Sequence, residues 1–231
     1  MLPLKSIIAA TDGSEALDLT KILLIRHGQS LANVAGIFAG FSDSPLSDLG
    51  QHQAELTAAY IGKHYQVDAV YASDLKRAFE TGKDVADRFG LTVSAGPAFR
   101  EINGGDWEGI PYAKLPDLFP DTFGCWLSDI GNAICDGGES VAQLQKRVVD
   151  ALLLLCRENP GKTIVIATHA TPIRTLQCYC EGKSLSQMKD VPWVSNASVT
   201  ELAYDGKDLR ITSLSYDEHL GELKTTLPKT C

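Results

Sequence analysis

The chain has 231 residues, 44% hydrophobic and 22% charged, with a formal net charge of -8 and a sequence pI near 5.1. That length can bury a full core, and without a basic stripe neither nucleic acid nor an anionic membrane is an expected partner. No apolar run approaches the roughly 20 residues of a spanning helix, and Asp12 interrupts the short run at 7–10 that a secretory signal would have to extend, so a cytoplasmic protein is expected.

Residues 1–20 read as an N-terminal extension and 21–231 as a single domain. Within the extension, 7–10 suit an edge strand and 12–15 a turn. Thr11-Asp12-Gly13 resembles part of an aspartate-nucleophile phosphatase site, but Ala10 stands where that chemistry needs its second carboxylate. Lys21-Ile22-Leu23-Leu24-Ile25-Arg26-His27-Gly28 is a buried-strand pattern ending in a cation, an imidazole and a glycine. A core strand followed by a turn would explain it if nothing else in the chain answered His27. Residues 29–41 read as loop. Ser47 is placed to cap a helix running to about residue 63, with Leu49, Leu56, Ala59 and Tyr60 near a 3.6 period. His52 and His64, on or just after it, read as solvated.

A second strand is expected at 67–72, and 73–77 open a second helix. Leu75, Ala78, Phe79, Val85 and Phe89 form its apolar face, and Gly90 stops it. Arg77 falls in the first turn, where the helix dipole disfavours a cation unless an anion sits beside it. A short third strand follows at 91–94. The stretch 96–138, rich in Gly, Pro and aromatics, reads as one long irregular region of the kind that carries function. A strong helix begins at 139 or 140 and ends near 159–161. Residues 163–168 form the best buried strand, which ends in His169. Gly161-Lys162-Thr163 is not a phosphate-binding loop, because Cys156 replaces the required glycine and a strand follows. A helix from 172 to 179, a hairpin of 198–204 and 209–214 around Asp205-Gly206, and an irregular tail after 217 complete the chain. The alternation predicts an α/β three-layer sandwich, with helices on both faces of a central, mostly parallel sheet. The six cysteines show no framework spacing and read as free thiols, and no metal-ligand spacing surrounds Cys178-Tyr179-Cys180.

Two apolar strands thus each end in a histidine, His27 and His169, at the edge of an α/β sheet where catalytic groups gather. Arg26 and Arg77 can converge there, with Glu101 just beyond the third strand. Two imidazoles, two guanidiniums and a carboxylate are what phosphomonoester hydrolysis through a phosphohistidine requires. The order of the blocks resembles the histidine phosphatase, or phosphoglycerate mutase-like, superfamily. It matches in Arg26-His27-Gly28-Gln29-Ser30 with Asn33, then Phe41, Pro45-Leu46-Ser47 and Gly50. Further matches are Ser73-Asp74-Leu75-Lys76-Arg77-Ala78 with Thr81, and Glu101-Ile102 with Gly105-Asp106-Trp107-Glu108-Gly109. Gly137-Gly138-Glu139-Ser140 and Thr168-His169 complete the set over roughly 21–215.

The resemblance implies roles. His27 is the nucleophile; Arg26, Arg77 and His169 neutralise the phosphoryl oxygens; Glu101 protonates the leaving alkoxide and then activates water; Asn33 adds a hydrogen bond to phosphate. Ala170 replaces a glycine common in the family and keeps its backbone N–H. The resemblance implies no cofactor and no metal, a small-molecule phosphate ester as substrate, and leaves a homo-oligomer open. Both phosphatases and mutases occur in the family. Between Ile102 and Ser140 the only cation is Lys114, against seven acids: Asp106, Glu108, Asp117, Asp121, Asp129, Asp136 and Glu139. Such a lid would repel a carboxylate-bearing second anion, which favours a phosphatase resembling the α-ribazole and broad-specificity branch over phosphoglycerate mutase. A phospho-ligand binder without turnover is the alternative from outside enzymology.

Overall fold

The computed structural model describes residues 19–225, so the expected strand at 7–10, the turn at 12–15 and Cys231 lie outside the described residues. Strand β1 (Thr20–Arg26) is buried on both faces. Ile22 and Leu24 join one apolar core, while Leu23 and Ile25 join the other. This is the side-chain alternation of a strand in a sheet covered on both sides. Burying each of these four residues contributes roughly 1.5–3 kcal/mol.

Along the chain follow α1 (Leu31–Ala35), α2 (Asp48–His64), β2 (Ala69–Ser73), α3 (Lys76–Phe89) and β3 (Val93–Gly96). Then come α4 (Leu115–Leu118), α5 (Pro120–Ser128), α6 (Val141–Glu158), β4 (Thr163–Thr168), α7 (Ala170–Cys180), β5 (Val199–Tyr204) and β6 (Leu209–Tyr216). The six strands form one sheet in the order β3-β2-β4-β1-β5-β6. The first four run parallel, and β5 and β6 pair antiparallel beyond β1. Helices α2 and α3 supply Ala58, Ile61, Val85 and Ala86 to one core; α6 and α7 supply Leu144, Val148, Leu152, Ile173 and Leu176 to the other. The expected sandwich is the observed one.

Side-chain caps set the starts of α1, α2 and α6. Ser47 Oγ accepts the Gly50 N–H at 3.1 Å, and Ser140 forms a capping box with Gln143 at the start of α6. Helix α3 has no side-chain cap of its own; Asp43 Oδ1, from the loop between α1 and α2, accepts the Lys76 N–H at 2.7 Å. Gly28 and Gly50 let the loop after β1 lie against the start of α2. A Cβ on Gly28 would stand 2.3 Å from Gly50 O, and one on Gly50 would stand 1.9 Å from Gln29 O.

Four local expectations need correction. The loop at 29–41 contains α1, one turn capped by Ser30 and Asn33, too short to show a period. The irregular stretch at 96–138 contains α4 and α5, which are short and start at or beside prolines. Helix α7 begins at Ala170 rather than 172, because Pro172 sits in its first turn, where a missing N–H leaves nothing unpaired. Part of the tail after 217 is a 3-10 segment, Glu218–Leu223, whose Leu223 O accepts from Gln53 Nε2 at 2.7 Å. Cys125, Cys135, Cys156, Cys178 and Cys180 are free thiols. Among the described residues no helix is long and apolar enough to cross a membrane.

Candidate active site

Strand register decides which side chains meet. Arg26 of β1 pairs with Thr168 of β4, so the next residues, His27 and His169, leave the sheet side by side. Their ring centroids lie 5.1 Å apart at 62°. Both rings are buried, His169 completely. His27 Nδ1 stands 2.6 Å from Gly28 O. A carbonyl only accepts, so Nδ1 carries the proton and Nε2 holds a lone pair. His169 Nε2 lies 2.9 Å from Ser73 Oγ at the end of β2, and its buried Nδ1 has no hydrogen-bond partner among the described residues.

Burial first, then the guanidinium groups of Arg77 and Arg26, hold the His27 imidazole well below its ordinary range. Burial and then Arg77 and His27 do the same to His169. Both rings are therefore neutral near pH 7. The unfolded chain takes up protons at these positions below about pH 6.5, while the folded chain resists them. Stability contributed by the neutral rings is fully present above that value and declines as the pH falls. Thermal melts should give a lower midpoint at pH 5 than at pH 7, and His27→Gln should flatten that dependence. Equal slopes for both proteins would contradict it.

Arg77, 1% exposed, donates Nη1 to Ser42 O at 2.9 Å and Nη2 to Ala39 O and Gly40 O at 2.9 and 2.8 Å. Arg26 Nη1 donates to Val194 O at 2.6 Å. Glu101, two residues beyond the 3-10 turn Pro97–Phe99 that follows β3, accepts the Ile102 N–H at 2.8 Å and the Thr171 N–H at 3.3 Å. Arg26, His27, Asn33, Arg77, Glu101 and Ala170 all line one cavity of about 140 Å³. His169 is not in its wall but stands behind His27. Asn33 spends its Oδ1 on Ser30 N–H and on Asn196 Nδ2, so its amide NH2 is the end left to meet a ligand. Among the described residues no group of three His, Cys, Asp or Glu side chains converges as a metal-ligand set.

The acids of the supposed lid require correction. Glu139 pairs with Arg147, Asp136 accepts from Trp107 Nε1 and Thr122 Oγ1, and Glu108 binds backbone N–H groups. Glu108, Asp136 and Glu139 are thus engaged internally rather than arrayed toward a ligand. Trp107 and Phe123 are also buried in the core, and the aromatics that do line the cavity are Phe38, Tyr112, Trp126 and Trp193.

Several supporting residues escaped the sequence reading. Ser73 holds His169, Thr81 Oγ1 accepts the Gly28 N–H at 3.2 Å, and Asn196 Nδ2 donates to His27 O at 3.1 Å. Arg147 donates to the carbonyls of Ala98, Arg100 and Glu101, and so fixes the segment that carries the carboxylate. Ser73 and Thr81 lie within matched blocks; for Asn196 and Arg147 there was no local signal.

The model of the histidine phosphatase superfamily (branch 1) matches residues 22–217. The chain belongs to the histidine phosphatase superfamily. This histidine phosphatase is 29% identical over 204 residues to phosphoserine phosphatase 1 of Hydrogenobacter thermophilus, covering 88% of this chain and 96% of that one. It is 34% identical over 212 residues to phosphoglycerate mutase-like protein 4 of Arabidopsis thaliana, covering 90% of each. Among solved structures, Bacillus stearothermophilus YhfR superposes with a TM-score of 0.83 at 26% identity, over 87% of this chain and 99% of that one.

Proposed function

We propose that this phosphomonoesterase hydrolyses a small-molecule phosphate ester without a metal, by way of a phosphohistidine on His27. The observation that carries this reading is the His27 Nδ1–H bond to Gly28 O, which leaves Nε2 as the reacting atom in a cavity shared with Arg26, Arg77 and Glu101. In the first step the Nε2 lone pair attacks phosphorus, the P–O ester bond breaks, and the leaving alkoxide takes a proton from Glu101. In the second, Glu101 accepts a proton from water as its oxygen attacks phosphorus, and the N–P bond breaks to release inorganic phosphate. Arg26 and Arg77 stabilise charge on the transferring oxygens, with the N–H of Ala170 as a further donor, while His169 packs edge-on against the His27 ring. Asn33 contributes its NH2.

Arg26 and Arg77 are the cations in the cavity wall, while Phe38, Tyr112, Trp126 and Trp193 supply its apolar part. This composition favours an ester whose alcohol is uncharged and partly apolar. The five free thiols among the described residues accord with a reducing cytoplasmic setting. Phosphate release from p-nitrophenyl phosphate should persist in EDTA, and a panel of phosphoserine, sugar phosphates, nucleotides and α-ribazole phosphate should rank natural-type substrates. Loss of activity in EDTA would overturn the metal-independent mechanism. Interconversion of 2- and 3-phosphoglycerate would identify a mutase, and phosphate binding without turnover across the panel would identify a binding protein.

A further inference from the structure

Glu108 takes no part in the steps above, yet its carboxylate gathers the backbone of a loop at the site. Oε2 accepts the N–H of Gly40 at 3.1 Å and of Ser42 at 2.9 Å, and the Ser42 hydroxyl also donates to it. Oε1 accepts the N–H of Phe41 at 2.6 Å and of Gly104 at 2.9 Å. The same loop turns carbonyls the other way: those of Ala39, Gly40 and Ser42 accept three N–H bonds from Arg77.

Two consecutive peptide groups therefore lie between a carboxylate and a guanidinium. In the peptide joining residues 39 and 40, the C=O accepts from Arg77 while the N–H donates to Glu108. The peptide joining 40 and 41 repeats the arrangement. Opposite charges at the two ends polarise each peptide in the same sense, so each hydrogen bond strengthens the next. Close approach depends on residue 40 lacking a side chain: a Cβ there would stand 2.5 Å from Glu108 Oε1 and 2.1 Å from Ile102 O. Of the five N–H donors of Arg77, the loop occupies three, and the other two belong to a residue that lines the cavity.

We propose that Glu108 is a positioning residue for phosphoryl transfer, acting through the loop at 39–42 to aim the two remaining N–H groups of Arg77 at the phosphoryl oxygens. It rests on the reaction proposed above, and Glu108 touches neither substrate nor reacting atoms. A glutamine cannot replace it, because an amide has one acceptor oxygen and its NH2 would face N–H donors.

A double-mutant cycle on the full chain tests this, with Glu108→Gln, Arg77→Ala and the pair assayed on p-nitrophenyl phosphate. Vanadate inhibition and thermal midpoints are measured in parallel. Glu108→Gln should lower kcat about 30-fold, below the roughly 10²–10³-fold that direct loss of a transition-state donor costs, and weaken vanadate comparably. KM should change less than about threefold. In the Arg77→Ala background the same substitution should lower kcat by less than about threefold, because the group it aims is gone. If Glu108→Gln fails to fold, Glu108→Asp, which keeps the charge one methylene farther back, supplies the same cycle. Multiplicative losses in the double variant, or a loss no larger than the unfolded fraction explains, would overturn the proposal. If the unaltered chain shows no turnover, the reaction reading fails instead, and the cycle in vanadate affinity still decides the role of Glu108.

Discussion

Replacing His27 with alanine is expected to lower kcat for phosphate release by about 10⁴-fold or more, the scale seen when a covalent nucleophile is removed. The surroundings of the ring suit that proposed role. Gly28 O holds the proton on Nδ1, burial and two guanidiniums keep the second proton off, and Nε2 is left as a neutral nucleophile. Acid-labile label trapped on the peptide containing His27 after a quench with labelled substrate would identify the intermediate. A His27→Ala protein retaining more than a few per cent of wild-type kcat would eliminate it.

The second large effect is expected at Arg77. Arg77→Lys should reduce kcat/KM by about 10²–10³-fold, although charge is conserved. Lysine brings three donors on a point charge, whereas the arginine meets three carbonyls with one part of its fork and still has two N–H groups left. Arg77→Ala should add a loss of stability, since three inward-facing carbonyls lose their donor at about 1–3 kcal/mol for each that stays unpaired. It should also move the acid limb of kcat/KM to higher pH. Arg77 is the largest charge effect holding His27 down, so removing it makes the ring easier to protonate. Urea denaturation and a pH series of kcat/KM check these effects. A Lys variant within fivefold of wild type, or an acid limb moving to lower pH in Arg77→Ala, would argue against Arg77 as a phosphoryl-binding group.

Much of this site was legible because strand ends and helix starts carry local signals. The run before His27 alternates into two cores, and the run before His169 is equally apolar, so both imidazoles had to emerge at sheet edges. Arg77 in a helical first turn was legible as a cation out of place. Its partners were not: the carbonyls that hold it come from 35 to 38 residues away, in a loop without periodicity. The acids between 102 and 140 misled for a related reason. A carboxylate in sequence reads as surface charge, and only the folded backbone reveals that Glu108, Asp136 and Glu139 have internal donors.

By itself the sequence determined the alternation of strands and helices, the Ser47 cap, and the order of the polar blocks, all of which depend on side-chain period and near-neighbour chemistry. The tertiary structure alone decided that Arg26 and Thr168 share a register, which tautomer His27 adopts, and which acids face inward. Those outcomes depend on hydrogen bonds between groups far apart in the chain, where the backbone supplies donors and acceptors that no residue type announces.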